Sequence, residues 1–258
     1  MAAGRMTDAS DRRAAAVAVA GFGIALAIRI AFLARLAPNF DLASYGIVAK
    51  IVERGGDFYR ETTRYNYSPL WAFCLAGMDV VGRALGFSLA RAVTSLLLLV
   101  DAATAFVLYR ILRARGRAAG RAALGAALFF ANPVSILSSS HRGMFDDVAI
   151  LFLVLAALEV ERAREATPRA SLAAGASLLV KHVGWFHPLL LPGRRERPFG
   201  LRSAALVLLP YALFLASFIP YAGSAPAIRR SVFAYRSMGE PYGVDALRFL
   251  PEWGVRAL

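Results

Sequence analysis

The chain has 258 residues, 58% of them hydrophobic, a mean hydropathy of +0.54 and a formal net charge of +13. Soluble domains rarely combine these values, and repeated apolar runs of spanning length predict a polytopic membrane protein. A single cysteine, Cys74, excludes an intrachain disulfide and any Cys-cluster metal site.

The positive charge does not imply nucleic acid, because arginines between apolar runs are the topogenic signal of cytoplasmic loops. Lys50 and Lys181 are the only lysines, and the Ala- and Arg-rich usage fits a GC-rich bacterial genome. The expected address is therefore a bacterial plasma membrane.

In chain order, residues 1–13 are polar and basic and are expected inside. Residues 14–36 form the first span. They are long for a signal peptide and carry Arg29. Residues 37–87 are expected to form an outer loop with interfacial helices. Within it, 69–86 carries Asp79 and Arg83 and falls short of the roughly twenty apolar residues a span needs, so it predicts an amphipathic helix on the outer interface.

Residues 88–112 then cross inward, 122–138 outward and 147–160 inward. Residues 171–192 are broken by Gly184, Pro188 and Pro192, which predicts a re-entrant element. Residues 203–221 cross outward and 222–258 form an outer tail. The fold class expected is all-α: one polytopic helical membrane domain, residues 1–258.

This topology draws several polar stretches together. They are the loop from "NFDLASYGIVAK" to "YRETTRYNYSPLW", then "NPVSILSSSHRGMFDD", then "LVKHVGWFHP". All three histidines, His141, His182 and His187, lie in the last two. Ionisable residues at membrane depth are expensive and point to function by default. Bland roles compete with that inference. Asp41 suits an N-cap for a helix over 43–54. Tyr59, Tyr65 and Tyr67 suit an interfacial belt. Asp146 and Asp147 favour a helix dipole, and Lys181 and Arg29 suit snorkelling.

The order of these motifs resembles the GT-C superfamily of polytopic glycosyltransferases. The similarity is greatest to the transferase adding the first mannose of glycosylphosphatidylinositol, then to the dolichyl-phosphate-glucose-dependent glucosyltransferases. It covers residues of about 15–220. Asp41 matches the second acid of that family's outer-loop pair, and Asn39 stands where the first would be. Tyr65-Asn66-Tyr67-Ser68-Pro69-Leu70 matches the Tyr/Pro stretch. Arg142, Gly143 and Asp146 match an Arg-Gly…Asp stretch, and Lys181 matches a lysine in an apolar segment.

The resemblance implies transfer of a mannose-like hexose from a polyprenyl-phosphate donor to a lipid or glycan acceptor on the outer face. Asp41 would be the general base, with Asp146 assisting or holding sugar hydroxyls. Arg29, Arg142 and Lys181 would meet the leaving phosphate. Tyr45, Tyr65, Tyr67, His141, Asp147 and His182 complete the expected substrate-binding set. No organic cofactor is expected; a divalent metal is left open, with Asn39 weighing against an Asp-x-Asp metal site. Relatives continue through further spans past "RFLPEWGVRAL", so the chain corresponds to a fragment or a compact version of the family. The alternative class is non-catalytic: a lipid or solute transporter, or a degenerate relative. Against transport stand acids placed toward the outside and the lack of an inverted repeat. No Ser-His-Asp or His-Glu-x-x-His pattern supports a hydrolase.

Overall fold

The structure, a computed structural model, describes residues 2–36, 39–191 and 200–234. Among them every element is helical and no strand occurs. Three helical segments are long and apolar enough to cross a membrane: Ala9–Ala34, Leu89–Ala114 and Ala119–His141. A fourth candidate, Leu201–Ala216 followed by Ile219–Phe233, is bent by 53°.

Helix α1 (Ala2–Ala34) starts well before the expected span. Its polar first part is rich in Ala and Arg, good helix formers. It also packs along α6 (Ala119–Phe130), where Asp11 accepts a hydrogen bond from the Arg121 amide at 3.0 Å. The close approach needs Gly120, since a Cβ there would lie 1.9 Å from the Asp11 carbonyl oxygen.

Helix α2 (Phe40–Glu53) is capped by Asn39, whose side chain accepts from the Leu42 amide. The expected cap, Asp41, instead lies in the first turn, because the helix begins three residues before position 43. The short α3 (Phe58–Glu61) leads through the tyrosine loop to α4 (Pro69–Ala84), which starts on a proline. Arg83 joins Asp79 on α4 to Glu53 on α2, so the charges that spoil 69–86 as a span are paired on its surface.

Helix α5 (Leu89–Ala114) crosses the middle of the molecule, between α4, α6 and α8 (Asp146–Ala163). The segment between α6 and α8 is irregular. Asn132 caps a turn, α7 (Pro133–Ser135), which widens into a π-helical stretch over Ile136–His141. Such bulges are frequent at functional sites. Gly143, with φ of +70°, lets the chain leave that stretch; a Cβ there would meet Leu42 at 2.7 Å.

Helix α9 (Pro168–Val180) stops where Lys181 turns extended, and two 3-10 turns follow over His182–Gly184 and His187–Leu190. The break expected within 171–192 therefore falls at Lys181. Helix α10 (Leu201–Ala216) packs on α9. A 3-10 turn over Ile219–Ser224, α11 (Ala225–Ile228) and a π turn over Arg229–Phe233 complete the described chain. Residues 192–199 and most of the expected outer tail 222–258 lie outside the described residues.

The largest apolar core lies where α2, α4, α5, α8 and α9 meet, around Val48, Trp71, Leu75, Leu97, Phe145 and Leu178. It sits directly beneath the polar stretches singled out in the sequence.

Candidate functional site

Two charged clusters occupy this bundle. One is closed. Arg29 and Asp101 are both fully buried and ion-paired. The guanidinium also donates to the Phe130 carbonyl at 2.9 Å and to the hydroxyls of Ser139, Ser135 and Ser140 at 2.9, 3.0 and 3.1 Å. It lies 4.6 Å from the Phe130 ring centroid. Each partner belongs to the protein, which is what a charge needs to remain buried. The cluster ties α1 and α5 to the π-helical stretch.

The second cluster is half-open. Lys181 Nζ lies 2.6 Å from Asp146 Oδ1. It is 5.3 Å from the Phe145 ring centroid and 5.4 Å from that of Tyr67, within the range of a cation–π contact. Asp41 is within electrostatic reach of Lys181, Arg142 and Asp146. Burial pushes the Asp41 carboxyl above the ordinary carboxylate range; Lys181 and Arg142 oppose the shift and Asp146 adds to it.

Backbone contacts hold these parts in register. The Asn39 side chain donates to the Arg142 carbonyl at 3.0 Å, joining the start of α2 to the end of the π-helical stretch. The Ser68 hydroxyl donates to the Leu179 carbonyl, fixing the tyrosine loop to the end of α9. The Tyr59 hydroxyl donates to the Tyr67 carbonyl at 2.6 Å. Below the charges lies an aromatic floor: Trp71 stacks on Phe145 at 4.2 Å, and Tyr67 meets Phe145 edge-on at 4.7 Å.

The structure thus gathers Asp41, Tyr67, Arg142, Asp146 and Lys181, which come from distant parts of the chain. Other expected site residues fall elsewhere. Arg29 is buried apart from this cluster, with its donors engaged by Asp101, the Phe130 carbonyl and Ser135, Ser139 and Ser140. Tyr65 is buried; its hydroxyl donates to the Ser68 carbonyl at 2.5 Å and accepts from the Ala72 amide at 2.9 Å, a structural role. Tyr45 is buried against Trp71 and Phe145 and supports the floor from below.

His141 packs on Phe32 of α1 and His182 on Phe214 of α10. Asp147 is 5% exposed and turns toward Asp101 and Arg29, while its neighbour Asp146 turns to Lys181. Consecutive helical residues point about 100° apart, so one acidic pair serves both clusters.

Asp101, Ser135, Ser139, Ser140 and the floor residues Trp71 and Phe145 were not expected at either cluster. An acid inside the apolar run 88–112 is the signal that points to Asp101. Nothing in the local pattern distinguishes Phe145 from ordinary core.

Among the described residues no group of three or more His, Cys, Asp or Glu side chains is arranged for a metal ion. Asp41 and Asp146 face two cations, Lys181 and Arg142. Each of these carboxylates thus already has a positive neighbour supplied by the protein.

Fold and composition together define an all-helical protein suited to a membrane. Comparison with protein-family models, characterised proteins and solved structures finds no match to this chain.

Proposed function

We propose that the chain is a membrane glycosyltransferase of the GT-C kind, moving a mannose-like hexose from a polyprenyl phosphate to a lipid or glycan acceptor at the outer face of a bacterial plasma membrane. The observation that carries this reading is the convergence of Asp41, Arg142, Asp146 and Lys181 on an aromatic floor.

The chemistry follows from the groups. The acceptor hydroxyl loses its proton as its oxygen attacks the anomeric carbon, and the bond to the donor phosphate breaks. Asp41 takes that proton; its elevated pKa makes it a stronger base than a free carboxylate. Negative charge grows on the departing phosphate, and Lys181 and Arg142 meet it. Lys181 supplies a compact point charge, Arg142 a planar fork suited to phosphate oxygens. Asp146 holds Lys181 in place before the donor arrives. Tyr67 presents a ring face of the kind that stacks on a pyranose.

The 2.6 Å pairing of Lys181 with Asp146 also favours a second reading. In a degenerate relative or a transporter the same pair is a structural tie and no sugar is transferred. Incubating membranes that contain the protein with radiolabelled polyprenyl-phosphate mannose, glucose or arabinose separates the two. The glycosyltransferase yields a labelled glycolipid from one of them. Membranes that consume none of the three donors support the second reading.

A further inference from the structure

Away from the site, a groove of about 380 Å³ runs between α1, α5 and α6. Its walls include Val19, Phe22, Ala102, Phe106, Tyr109 and Ala123. All lie within the three span-length segments, so the groove faces the hydrocarbon of a membrane. Alanine walls leave a channel that larger side chains would fill. Toward Arg29, the lining residue Phe22 stacks on Phe130 at 4.1 Å, and the Arg29 guanidinium lies 4.6 Å from the Phe130 ring centroid.

The opposite end of the groove is basic. Arg110, next to Tyr109, is exposed and sits 5.8 Å from the Phe106 ring centroid. Arg113 and Arg121, also exposed, lie within electrostatic reach of Asp11. The Arg113 guanidinium donates to the Arg117 carbonyl at 2.9 Å. Apolar channel and basic rim are thus continuous: the lining residues Phe106 and Tyr109 lie within about one turn before Arg110 on α5, and Ala123 lies two positions after Arg121 on α6.

We propose that this groove is a binding site for an anionic phospholipid. One acyl chain lies in the channel up to the Phe22–Phe130 stack, and Arg110 and Arg121 hold the phosphate headgroup. Basic pockets between transmembrane helices select anionic headgroups in this way, and the arginine fork suits phosphate oxygens. The bound chain fills space beside the helices that carry Arg29 and Asp101.

The test uses the full chain reconstituted in phosphatidylcholine vesicles carrying trace spin-labelled phosphatidylglycerol or phosphatidylcholine. Electron paramagnetic resonance reads the motionally restricted fraction of each label. The expected result is a preference for phosphatidylglycerol of roughly fivefold or more, about what one arginine at a membrane surface supplies. Arg110→Gln with Arg121→Gln brings that preference close to unity. Val19→Trp, at an exposed position on the groove wall, displaces the chain without disturbing the core and lowers the restricted fraction of phosphatidylglycerol.

Equal binding of the two lipids overturns the proposal, as does a preference untouched by the arginine changes. A preference that survives Val19→Trp assigns binding to the headgroup alone and overturns the groove site. Oxidative dimerisation through Ala123→Cys, in a Cys74→Ala background, assigns the groove to a second copy of the chain and overturns it too.

Discussion

The two charged clusters differ in how far their demand for partners is met. Around Arg29 every guanidinium donor is engaged by the protein, and one Asp101 oxygen accepts from Arg29 and Ser139 while Oδ1 is buried without a hydrogen-bond partner among the described residues. The Arg29 partners Asp101, Ser135, Ser139 and Ser140 are buried. Around Lys181 the ion pair keeps partial contact with solvent, with 15% exposure at the lysine side chain and 35% at Asp146. A buried cation with all its donors engaged by the protein specifies structure, whereas a partly exposed ion pair on an open rim has capacity left for a ligand. Location along the chain does not predict which is which, since Asp146 and Asp147 are consecutive and belong to different clusters.

The largest effect is expected from breaking the closed cluster. Arg29→Met strands Asp101 without its cation and lowers stability by about 3–5 kcal/mol, read as a fall in Tm in detergent. Arg29→Met combined with Asp101→Leu removes both charges and recovers much of the loss. Equal Tm for Arg29→Met and wild type breaks the contrast between the clusters.

At the open cluster the expected loss is in turnover. Asp41→Asn and Lys181→Met each reduce transfer by roughly a hundredfold or more. Lys181→Met also lowers Tm, by less than Arg29→Met does, because this ion pair keeps partial contact with solvent. Lys181→Met with wild-type donor binding and turnover removes Lys181 from the site.

A subtler effect concerns pH. The folded Asp41 carboxyl titrates above its unfolded value because of burial. Protonation therefore favours the fold: the contribution of Asp41 to stability is full below the ordinary carboxylate pKa and is lost as pH rises through the raised folded value. Activity runs the other way, because the base must be ionised. Its acid limb lies above the usual carboxylate range in a profile of kcat/KM. Arg142→Met withdraws a stabilising cation and moves that limb to higher pH, and Asp146→Asn moves it lower.

The smallest effect is expected in the loop between the clusters. Gly143→Ala places a methyl at positive φ and against Leu42. The strain is on the order of 1–3 kcal/mol, seen as a lower Tm with the donor specificity unchanged.

The all-helical class is legible in the sequence, and the expected spans 14–36, 88–112 and 122–138 fall on helical segments long and apolar enough to cross a membrane, because apolar run length reports such helices directly; 147–160 lies on a helix that is not among them. A break in this region is visible too, through Gly184, Pro188 and Pro192, although the helix ends a few residues earlier, at Val180. Other features depend on three-dimensional pairing. Arg29 looked ligand-facing because its partner Asp101 lies 72 positions away, on another helix. Tyr65 and Tyr67 are two residues apart in one motif, yet only Tyr67 reaches the open cluster. Their separation follows from the turn before α4, which points the Tyr65 hydroxyl at backbone groups. The widened π-helical stretch over Ile136–His141 carries no pattern that periodicity detects, although it decides where Arg142 lies.

The most direct test of the open cluster as a catalytic site is transfer of labelled hexose in reconstituted vesicles by wild type and Asp41→Asn, with Tm measured on the same preparations. Transfer by wild type, with a loss of roughly a hundredfold or more in the variant at a Tm equal to or above that of wild type, is the predicted result. Equal transfer by the two proteins, or no transfer by wild type from any polyprenyl-phosphate hexose, would contradict it.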